Sequence, residues 1–375
     1  MELFWFLPTY GDGRFLGTAV GSREATLGYL KQVALASEEL GFSGVLVPSG
    51  KGCDDAWIVA SNLAAITQRL KFLIALRPGI IAPAAAARMA SALDRFSDGR
   101  LLLNVVTGGD PVELAGDGLH LSHSERYVQT DEFLTVFRRL FTEASVTHKG
   151  PYFHLTDGEL LQPSRQKPYP PLFLGGSSAA AHEITAKHID VYLTWGEPPA
   201  QVEEKIADIR MKAEKLGRQV KFGIRLHTVV RQNADDAWTA ANDLLKHVDD
   251  DTIAKAQATL ARFDSEGQKR LLELHGGSRD KLEVSPNLWA GISLVRGGVG
   301  TALVGNGEQV AARILEYAAL GIDYFILSGI PHLEEAYHFH ENVFHRLPVH
   351  QKQREVPNLP MGMFGDKNLS KSSVS

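Results

Sequence analysis

Short apolar runs alternate along the chain with longer segments of helical spacing. Eight of the runs are rich in β-branched and aromatic residues, which predicts strands at residues 3–7, 45–47, 72–76, 101–106, 172–174, 191–194, 222–230 and 324–327. Between them, apolar residues recur every three or four positions, which predicts helices at residues 29–40, 84–96, 133–141, 202–216, 234–248 and 310–320. Strand followed by helix, repeated eight times, predicts an α/β fold of the (β/α)8 TIM-barrel type.

The loops favour this barrel over its main alternative, a doubly wound open sheet. The open sheet usually places a glycine-rich turn between its first strand and first helix. Here residues 8–13 (PTYGDG) form a longer loop. Three predicted helices are followed directly by Gly41, Gly217 and Gly321, where a left-handed glycine can end a helix. In a barrel, chemistry gathers at the C-terminal ends of the strands, so candidate residues are sought there.

The pattern predicts one barrel domain over residues 1–350, with two departures inside it and a tail. Residues 148–161 resemble a small hairpin. Residues 249–284 form a long, charged insertion with a glycine pair at 276–277 as a candidate hinge. This insertion folds either over the barrel mouth as a mobile lid or outward as a solvated excursion. Residues 351–375 lack periodicity and are expected to be mobile or ordered by a partner subunit.

Composition and charge narrow the class of partner. Of 375 residues, 39 are Lys or Arg and 44 are Asp or Glu, and the net charge of −5 provides neither a basic surface for nucleic acid nor a polybasic membrane anchor. No stretch is apolar over the roughly 18 residues that a membrane span needs. The single cysteine, Cys53, precludes an intrachain disulfide. We therefore expect a cytoplasmic protein that acts on a small molecule.

A turn of small residues between a predicted strand and a helix is a candidate anion site. In the segment 174–178 (LGGSS), Gly176 lets backbone N–H groups approach a phosphate at the positive end of the helix, and Ser177 and Ser178 supply hydroxyl donors. Any tight strand-to-helix turn can have this composition. The phosphate site and the plain turn therefore both remain open on this ground alone.

Polar residues at two further places could line the same barrel mouth. The fourth predicted strand leads through Asn104 to Thr107, which offers an amide and a hydroxyl to a flat heterocycle. Four positions separate His123 from Tyr127, so the two share a helix face if a helix begins at residue 123. They would then close the anion site from its far side. The alternative is a helix cap followed by an ordinary packed tyrosine.

Charged side chains on the seventh predicted strand need a partner. Arg225 and His227 alternate with apolar residues and so project to one side. The run contains no acidic residue, which favours an anionic ligand as the partner of the guanidinium. Arg296 lies in a glycine-rich loop and is either solvated or a mobile clamp for an anion. Trp195 and Cys53, near the ends of the sixth and second strands, are candidate pocket walls.

Longer strings of the sequence, taken in order, resemble one family. They are GVLVPSGKGCDDAW, NVVTGGDP, HSERY, PPLFLGGSS, YLTWGEPP, FGIRLH, PNLWAGISLVRGG and SGIPHLEEAY. From Phe4 to Tyr337 the chain is similar to the bacterial alkanesulfonate monooxygenases of the bacterial-luciferase-like flavin superfamily, and to their methanesulfonate-specific relatives. The combination is far more specific than any single motif in it.

The resemblance implies a barrel with a mobile insertion that receives reduced FMN from a separate NAD(P)H-dependent reductase. With O2 it would convert a small organosulfonate to an aldehyde and sulfite, without a metal. The implied FMN ligands are Asn104, Thr107, His123, Tyr127, Gly176, Ser177 and Ser178. The residues implied around the sulfonate and the reactive flavin edge are Cys53, Trp195, Arg225, His227 and Arg296.

Specific roles follow from the same resemblance. Arg225 would bind the sulfonate and could donate a proton, His227 would orient the substrate or relay a proton, and Arg296 would close the site. A homodimer or homotetramer is expected by analogy.

Two positions depart from the family pattern. The relatives have histidine where this chain has Tyr10, and tyrosine where it has Ile330, which removes a hydroxyl expected at the active site. Four alternatives to an alkanesulfonate enzyme remain: a sulfone monooxygenase, a deazaflavin-dependent reductase, a flavin-binding protein without turnover and a metal hydrolase. The last is disfavoured because no His-x-His follows the first strand.

Overall fold

The computed structural model of the protein describes residues 1–349, and the predicted tail, residues 351–375, lies outside them. The strands are β1 (Glu2–Phe6), β2 (Gly44–Val47), β3 (Lys71–Leu76), β4 (Leu101–Val105), β5 (Val146–Lys149), β6 (His154–Gly158), β7 (Leu172–Gly175), β8 (Val191–Trp195), β9 (Lys221–Arg231), β10 (Glu283–Ser285), β11 (Leu288–Trp289), β12 (Ala302–Asn306) and β13 (Ile322–Ser328).

The α-helices surround these strands. They are α1 (Leu27–Glu39), α2 (Ala56–Ala64), α3 (Pro83–Phe96), α4 (Pro111–Gly116), α5 (His123–Thr142), α6 (Ala179–His188), α7 (Pro199–Lys215), α8 (Ala234–Asp243), α9 (Asp250–Leu260), α10 (Glu266–His275), α11 (Gly307–Ala319) and α12 (His332–Asn342). Two short 3₁₀ helices span Gly291–Leu294 and Phe344–Arg346. No helix among the described residues is long and apolar enough to cross a membrane.

Eight parallel strands close into a barrel. Strands β1, β2, β3, β4, β7, β8, β9 and β13 pair in that order, and β13 pairs again with β1. Each of the eight predicted strands overlaps one of these, so the (β/α)8 prediction is confirmed. Alternate residues separate the two faces: Phe4 and Phe6 belong to the cluster inside the barrel, whereas Leu3 and Trp5 pack under the helices.

Strand β9 has two different neighbours along one of its edges. Up to Arg225 this edge pairs with β8, and from His227 onward it pairs with β12. The sequence pattern did not predict β12, because its five residues follow a glycine-rich loop and end in Gly305-Asn306. The change of neighbour falls between Arg225 and His227.

Helix ends follow the predicted glycine signals. Gly41, Gly217 and Gly321 come directly after the C-caps of α1, α7 and α11 and have φ of +88°, +65° and +103°. A left-handed residue at this point is favourable only for glycine. The prediction that these glycines end helices is therefore confirmed.

The two segments that were predicted to interrupt the strand–helix repeat both have defined structures. Strands β5 and β6 form an antiparallel hairpin, as the pattern of residues 148–161 predicted. The insertion, residues 249–284, contains α9 and α10. Its segment from Phe263 to Gln268 lines the cavity at the barrel mouth, so of the two predicted placements the structure has the one over the mouth. Helices α2, α4, α6 and α12, like the two helices of the insertion, lie outside the segments predicted from helical spacing.

Candidate active site

One cavity of about 460 Å³ lies at the C-terminal ends of the barrel strands. Its wall contains all twelve residues that the sequence suggested: Cys53, Asn104, Thr107, His123, Tyr127, Gly176, Ser177, Ser178, Trp195, Arg225, His227 and Arg296. These residues come from strands, from loops and from the first turns of α5, and are distributed over most of the chain. The roles suggested for them remain predictions.

The turn between β7 and α6 forms one end of the cavity. Ser178 caps α6, since its side chain accepts a hydrogen bond from the N–H of Ala181 at 3.2 Å. A Cβ atom on Gly176 would come within 2.7 Å of the Ala181 Cβ and 3.1 Å of the Tyr127 hydroxyl. Only glycine therefore fits at this position. The positive end of α6 and the small residues before it leave backbone N–H groups accessible from the cavity.

Two polar groups beside this turn have no partner in the protein. Helix α5 begins at His123, as the predicted pairing with Tyr127 requires, and the two rings lie 5.0 Å apart. Asn104 and Thr107 lie at and beyond the end of β4, the strand that pairs with β7. Neither of their side chains makes a hydrogen bond to any residue within 1–349. Both are therefore available to a ligand.

Arg225 lies in the floor of the cavity with 7% of its surface exposed. Its Nη1 donates to Ser328 Oγ at 2.8 Å and to the Leu226 carbonyl at 2.8 Å, and its guanidinium lies over the Phe6 ring at 4.5 Å. No acidic side chain among the described residues forms an ion pair with it. Burial, with the nearby Arg296 cation, lowers the pKa of Arg225 to about 9. An anion in the cavity would offset this unfavourable burial.

His227 is bound to the same serine. Its Nδ1 lies 2.7 Å from Ser328 Oγ, and 1% of the residue is exposed. Arg225 donates to the same oxygen, so the serine proton is free to be donated to Nδ1, and in that arrangement the ring proton lies on Nε2. Burial, followed by the Arg225 and Arg296 cations, holds the pKa of His227 well below 6.5, so the imidazole is neutral near pH 7.

Arg296 faces Arg225 across the cavity and contacts Tyr10. Its guanidinium lies 4.7 Å from the centre of the Tyr10 ring and donates to the Tyr10 hydroxyl. No ion pair to Arg296 occurs within residues 1–349. Of the three arginines in the cavity wall, Arg77 is paired with Glu113, whereas Arg225 and Arg296 form no ion pair within residues 1–349.

The remaining predicted wall residues lie between these groups. Trp195 is the neighbour of Arg225 across the β8–β9 pairing. Cys53 is partly buried, and burial raises the pKa of its thiol, so it is a neutral thiol near pH 7. This fits the prediction of a wall residue and gives no support to a nucleophile.

The insertion is joined to the loop that carries Arg296. Gln268 on α10 accepts a hydrogen bond from the N–H of Gly298 at 2.9 Å. On α9, the Gln257 side chain donates to the carbonyls of Ser293 and Leu294 at 3.1 and 2.7 Å. The Gln257 contact from α9 thus holds the 3₁₀ helix just before Arg296, and the Gln268 contact from α10 holds the loop just after it. Of these two helices, α10 lines the cavity.

Ile330 lies outside the cavity. It is buried in an apolar cluster with Leu16, Val229 and Trp289, behind the barrel mouth. The wall next to the two arginines is formed instead by Phe6 and Tyr10. Ile330 therefore supplies neither a hydroxyl nor a wall to the cavity.

Comparison with known proteins assigns the family. A model of the family described as luciferase-like monooxygenase matches residues 1–324. The chain belongs to this family. The match extends from β1 into β13 and so includes every element that lines the cavity.

This luciferase-like monooxygenase shares its fold with several solved structures. It is similar to a riboflavin lyase with modified FMN and riboflavin (TM-score 0.77, 21% identity, 92% of this chain and 90% of that chain). It is also similar to a long-chain alkane monooxygenase (TM-score 0.75, 20% identity, 92% of this chain and 90% of that chain). A third similar structure is an EDTA monooxygenase from Chelativorans sp. BNC1 (TM-score 0.74, 18% identity, 92% of each chain). At these identities the likeness concerns the fold.

Sequence reasoning missed three side chains that shape the site. Ser328 is a polar residue at the end of the last barrel strand, and that position was a usable signal. Lys205 lies on the apolar face of α7, with Val202 and Ile209, and a lysine there needs a buried partner. Gln268 has no comparable local signal, because its contacts are made across the cavity.

Proposed function

We propose that the protein is a two-component, FMNH2-dependent monooxygenase that converts an alkanesulfonate to an aldehyde and sulfite. The observation that carries the proposal is the pair Arg225 and Arg296, two cations in one cavity without an acidic partner among the described residues. A sulfonate is a permanent anion with three acceptor oxygens, which matches guanidinium donors. FMN would arrive reduced from a separate NAD(P)H-dependent flavin reductase.

The cavity wall fits FMN. Its volume lies within the range of about 300–1,000 Å³ usual for ligand sites. The turn at Gly176 has no room for a side chain, and it precedes the N-terminus of α6, where backbone N–H groups favour a phosphate. Two buried groups on the wall, Ser49 Oγ and Gln268 Nε2, have no hydrogen-bond partner within residues 1–349. We assign the phosphate to Gly176, Ser177 and Ser178, and the rest of the cofactor to Asn104, Thr107, His123 and Tyr127.

The reaction balances with the proposed reactants. Reduced FMN, when bound, supplies the electron pair that activates O2. One oxygen atom becomes the aldehyde oxygen and the other becomes water, while the carbon–sulfur bond breaks to release sulfite and a proton. The protein contributes binding, orientation, proton transfer and exclusion of water.

The residues of the cavity divide these tasks. Arg225 binds the sulfonate through Nε and Nη2, because its Nη1 is held by Ser328 and backbone carbonyls. With its proton on Nε2, the neutral imidazole of His227 can orient or relay a proton. Arg296 releases Tyr10 and closes on the anion. The Cys53 thiol and Trp195 form the wall beside the substrate.

The insertion is the segment that would close the mouth of the barrel. We propose that residues 249–284 act as a lid on a single barrel domain spanning residues 1–350, and that the lid moves together with the Arg296 loop because Gln257 and Gln268 hold the segments on either side of Arg296. A covered cavity would protect the activated oxygen from reaction with water. By analogy we expect a homodimer or homotetramer in the cytoplasm.

Sulfite release tests the proposal. The purified protein is mixed with FMN, a generic NAD(P)H flavin reductase, O2 and sulfonates from methane to octane. We expect sulfite and an equal amount of aldehyde. Sulfite from methanesulfonate alone would assign the narrower specificity. No sulfite from any sulfonate would overturn the proposal, and turnover of a neutral sulfone in its place would identify a sulfone monooxygenase.

A further inference from the structure

A buried cluster of three charges lies between the Gly175–Ser178 turn and the insertion. Lys205 on α7 donates to Glu197 Oε1 at 2.6 Å, and Arg270 on α10 donates to Glu197 Oε2 at 2.6 Å from Nη2 and 3.0 Å from Nε. Glu197 is 0% exposed and Lys205 is 5% exposed. The carboxylate is therefore shared between the barrel and the insertion.

At Lys205 the positive charge is compensated only in part. Its carboxylate partner Glu197 is shared with Arg270, which is 29% exposed and also lies near Glu204 and Glu266. Burial of a partly compensated charge such as that of Lys205 is unfavourable unless an opposite charge lies close by. The remaining contacts of Lys205 Nζ are the Thr194 hydroxyl at 2.8 Å and the Ser177 hydroxyl at 3.5 Å. Both are neutral, so neither completes the compensation. The second contact directs the ammonium toward the turn where the phosphate is proposed to bind.

The pKa of Lys205 is consistent with an anion-binding position beside Ser177. Burial lowers the pKa of Lys205, Glu197 opposes that effect and Arg270 adds to it. An anion beside Ser177 would stabilise the ammonium form and offset the burial of this charge. The cluster is thus electrostatically incomplete on the side that faces Ser177.

We propose that Lys205 is a further part of the phosphate site and that, through Glu197, it couples an anion at Ser177 to the position of α10 over the cavity. The proposal rests on the proposed FMN function. It adds a residue to the phosphate site and a physical link from that site to the insertion.

The coupling has a definite sign. An anion at Ser177 draws Lys205 Nζ toward it and weakens the bond from Lys205 to Glu197. The carboxylate is then less neutralised and holds Arg270 more strongly, which stabilises α10 in its place over the cavity. Because coupling between two sites is reciprocal, loss of the Arg270 contact also weakens binding of the anion.

The first experiment compares FMN with riboflavin, which lacks the phosphate. Dissociation constants for both oxidised flavins are measured by flavin fluorescence with the wild type, Lys205→Met and, as a control on the same helix, the exposed Lys215→Met. We expect Lys205→Met to lower the preference for FMN by roughly tenfold to a hundredfold, as for a charge-assisted hydrogen bond, with riboflavin affinity unchanged. Lys215→Met should behave as the wild type.

Two outcomes are separable. A wild-type protein that binds both flavins equally would overturn the FMN assignment and this inference with it. A wild type that prefers FMN, with the same preference retained in Lys205→Met, would overturn the inference alone. Lys205→Arg keeps the charge and should restore most of the preference, which distinguishes loss of charge from a folding defect.

The second experiment follows the insertion without turnover. Amide hydrogen exchange of residues 266–275 is measured with and without FMN, and with riboflavin as the ligand that lacks the anion. We expect FMN to slow exchange in α10 more than riboflavin does, and expect this difference to disappear in Lys205→Met and in Arg270→Gln. Equal protection by the two flavins in the wild type would contradict the coupling.

Discussion

The Nδ1 atom of His227 lies 2.7 Å from the hydroxyl oxygen of Ser328. The two residues are register partners on adjacent parallel strands, so the contact is fixed by the barrel itself. The same oxygen accepts from Arg225, so one hydroxyl contacts both side chains. Ser328 therefore orients both Arg225 and His227 toward an anion in the cavity without having to contact that anion itself.

Replacing Ser328 with alanine should therefore slow turnover while leaving flavin binding intact. Without the hydroxyl, His227 loses its hydrogen-bond partner at Nδ1 and Arg225 loses one acceptor, so we expect kcat for sulfite release to fall about tenfold or more. The control is Ser37→Ala, which removes a buried hydroxyl that bonds only to the Val33 carbonyl of α1. Unchanged kcat in Ser328→Ala would show that the serine does not prepare the site.

The contact between Arg296 and Tyr10 predicts that substitutions of the two residues will impair turnover to different extents. Arg296→Met removes the mobile cation, and we expect a KM for the sulfonate roughly tenfold to a hundredfold higher, with more hydrogen peroxide formed per NAD(P)H oxidised. Tyr10→Phe removes the hydroxyl but keeps the ring under the guanidinium, so its effect should be several times smaller. Equal effects of the two substitutions would contradict the assignment of Arg296 as the anion clamp.

Gln268 predicts that the insertion and the Arg296 loop move together. Gln268→Met removes the acceptor for the Gly298 N–H, so the loop should be cleaved faster in limited proteolysis and more oxygen should be lost as peroxide. Lys269→Met, an exposed neighbour on the same helix, is the matched control. The idea fails if cleavage within residues 291–299 is as slow in Gln268→Met as in the control.

Stability should fall as the pH decreases below about 6.5. Burial lowers the pKa of His188 to about 4, although the hydrogen-bonded carboxylate of Asp131 raises it. Between pH 6.5 and pH 4 the unfolded chain therefore binds a proton that the folded protein does not. The free energy of unfolding should therefore decrease from pH 6.5 toward pH 4. His188→Gln should reduce this loss by about 1.4 kcal/mol per pH unit, measured by urea unfolding at pH 6.5, 5.5 and 4.5. An identical pH slope in the variant would disprove the assignment.

The sequence predicted what is encoded locally. The eight barrel strands were predictable from apolar runs, and Arg225 and His227 from charged residues at alternating positions of such a run. Strand β12 was missed because its pairing with β9, not its composition, makes it a strand. The link from Lys205 through Glu197 to Arg270 joins three elements distant in sequence, and no spacing rule connects them.

Strand β13 has a further consequence, for the order in which the chain can fold. It alone joins β1 to β9, yet it begins at Ile322, near the end of the described residues. During synthesis, one edge of β1 and one edge of β9 must therefore remain unpaired until β13 has left the ribosome. Unpaired strand edges invite association between chains. Because the barrel that forms the active site closes only with β13, the nascent protein must be kept from associating with other chains until then.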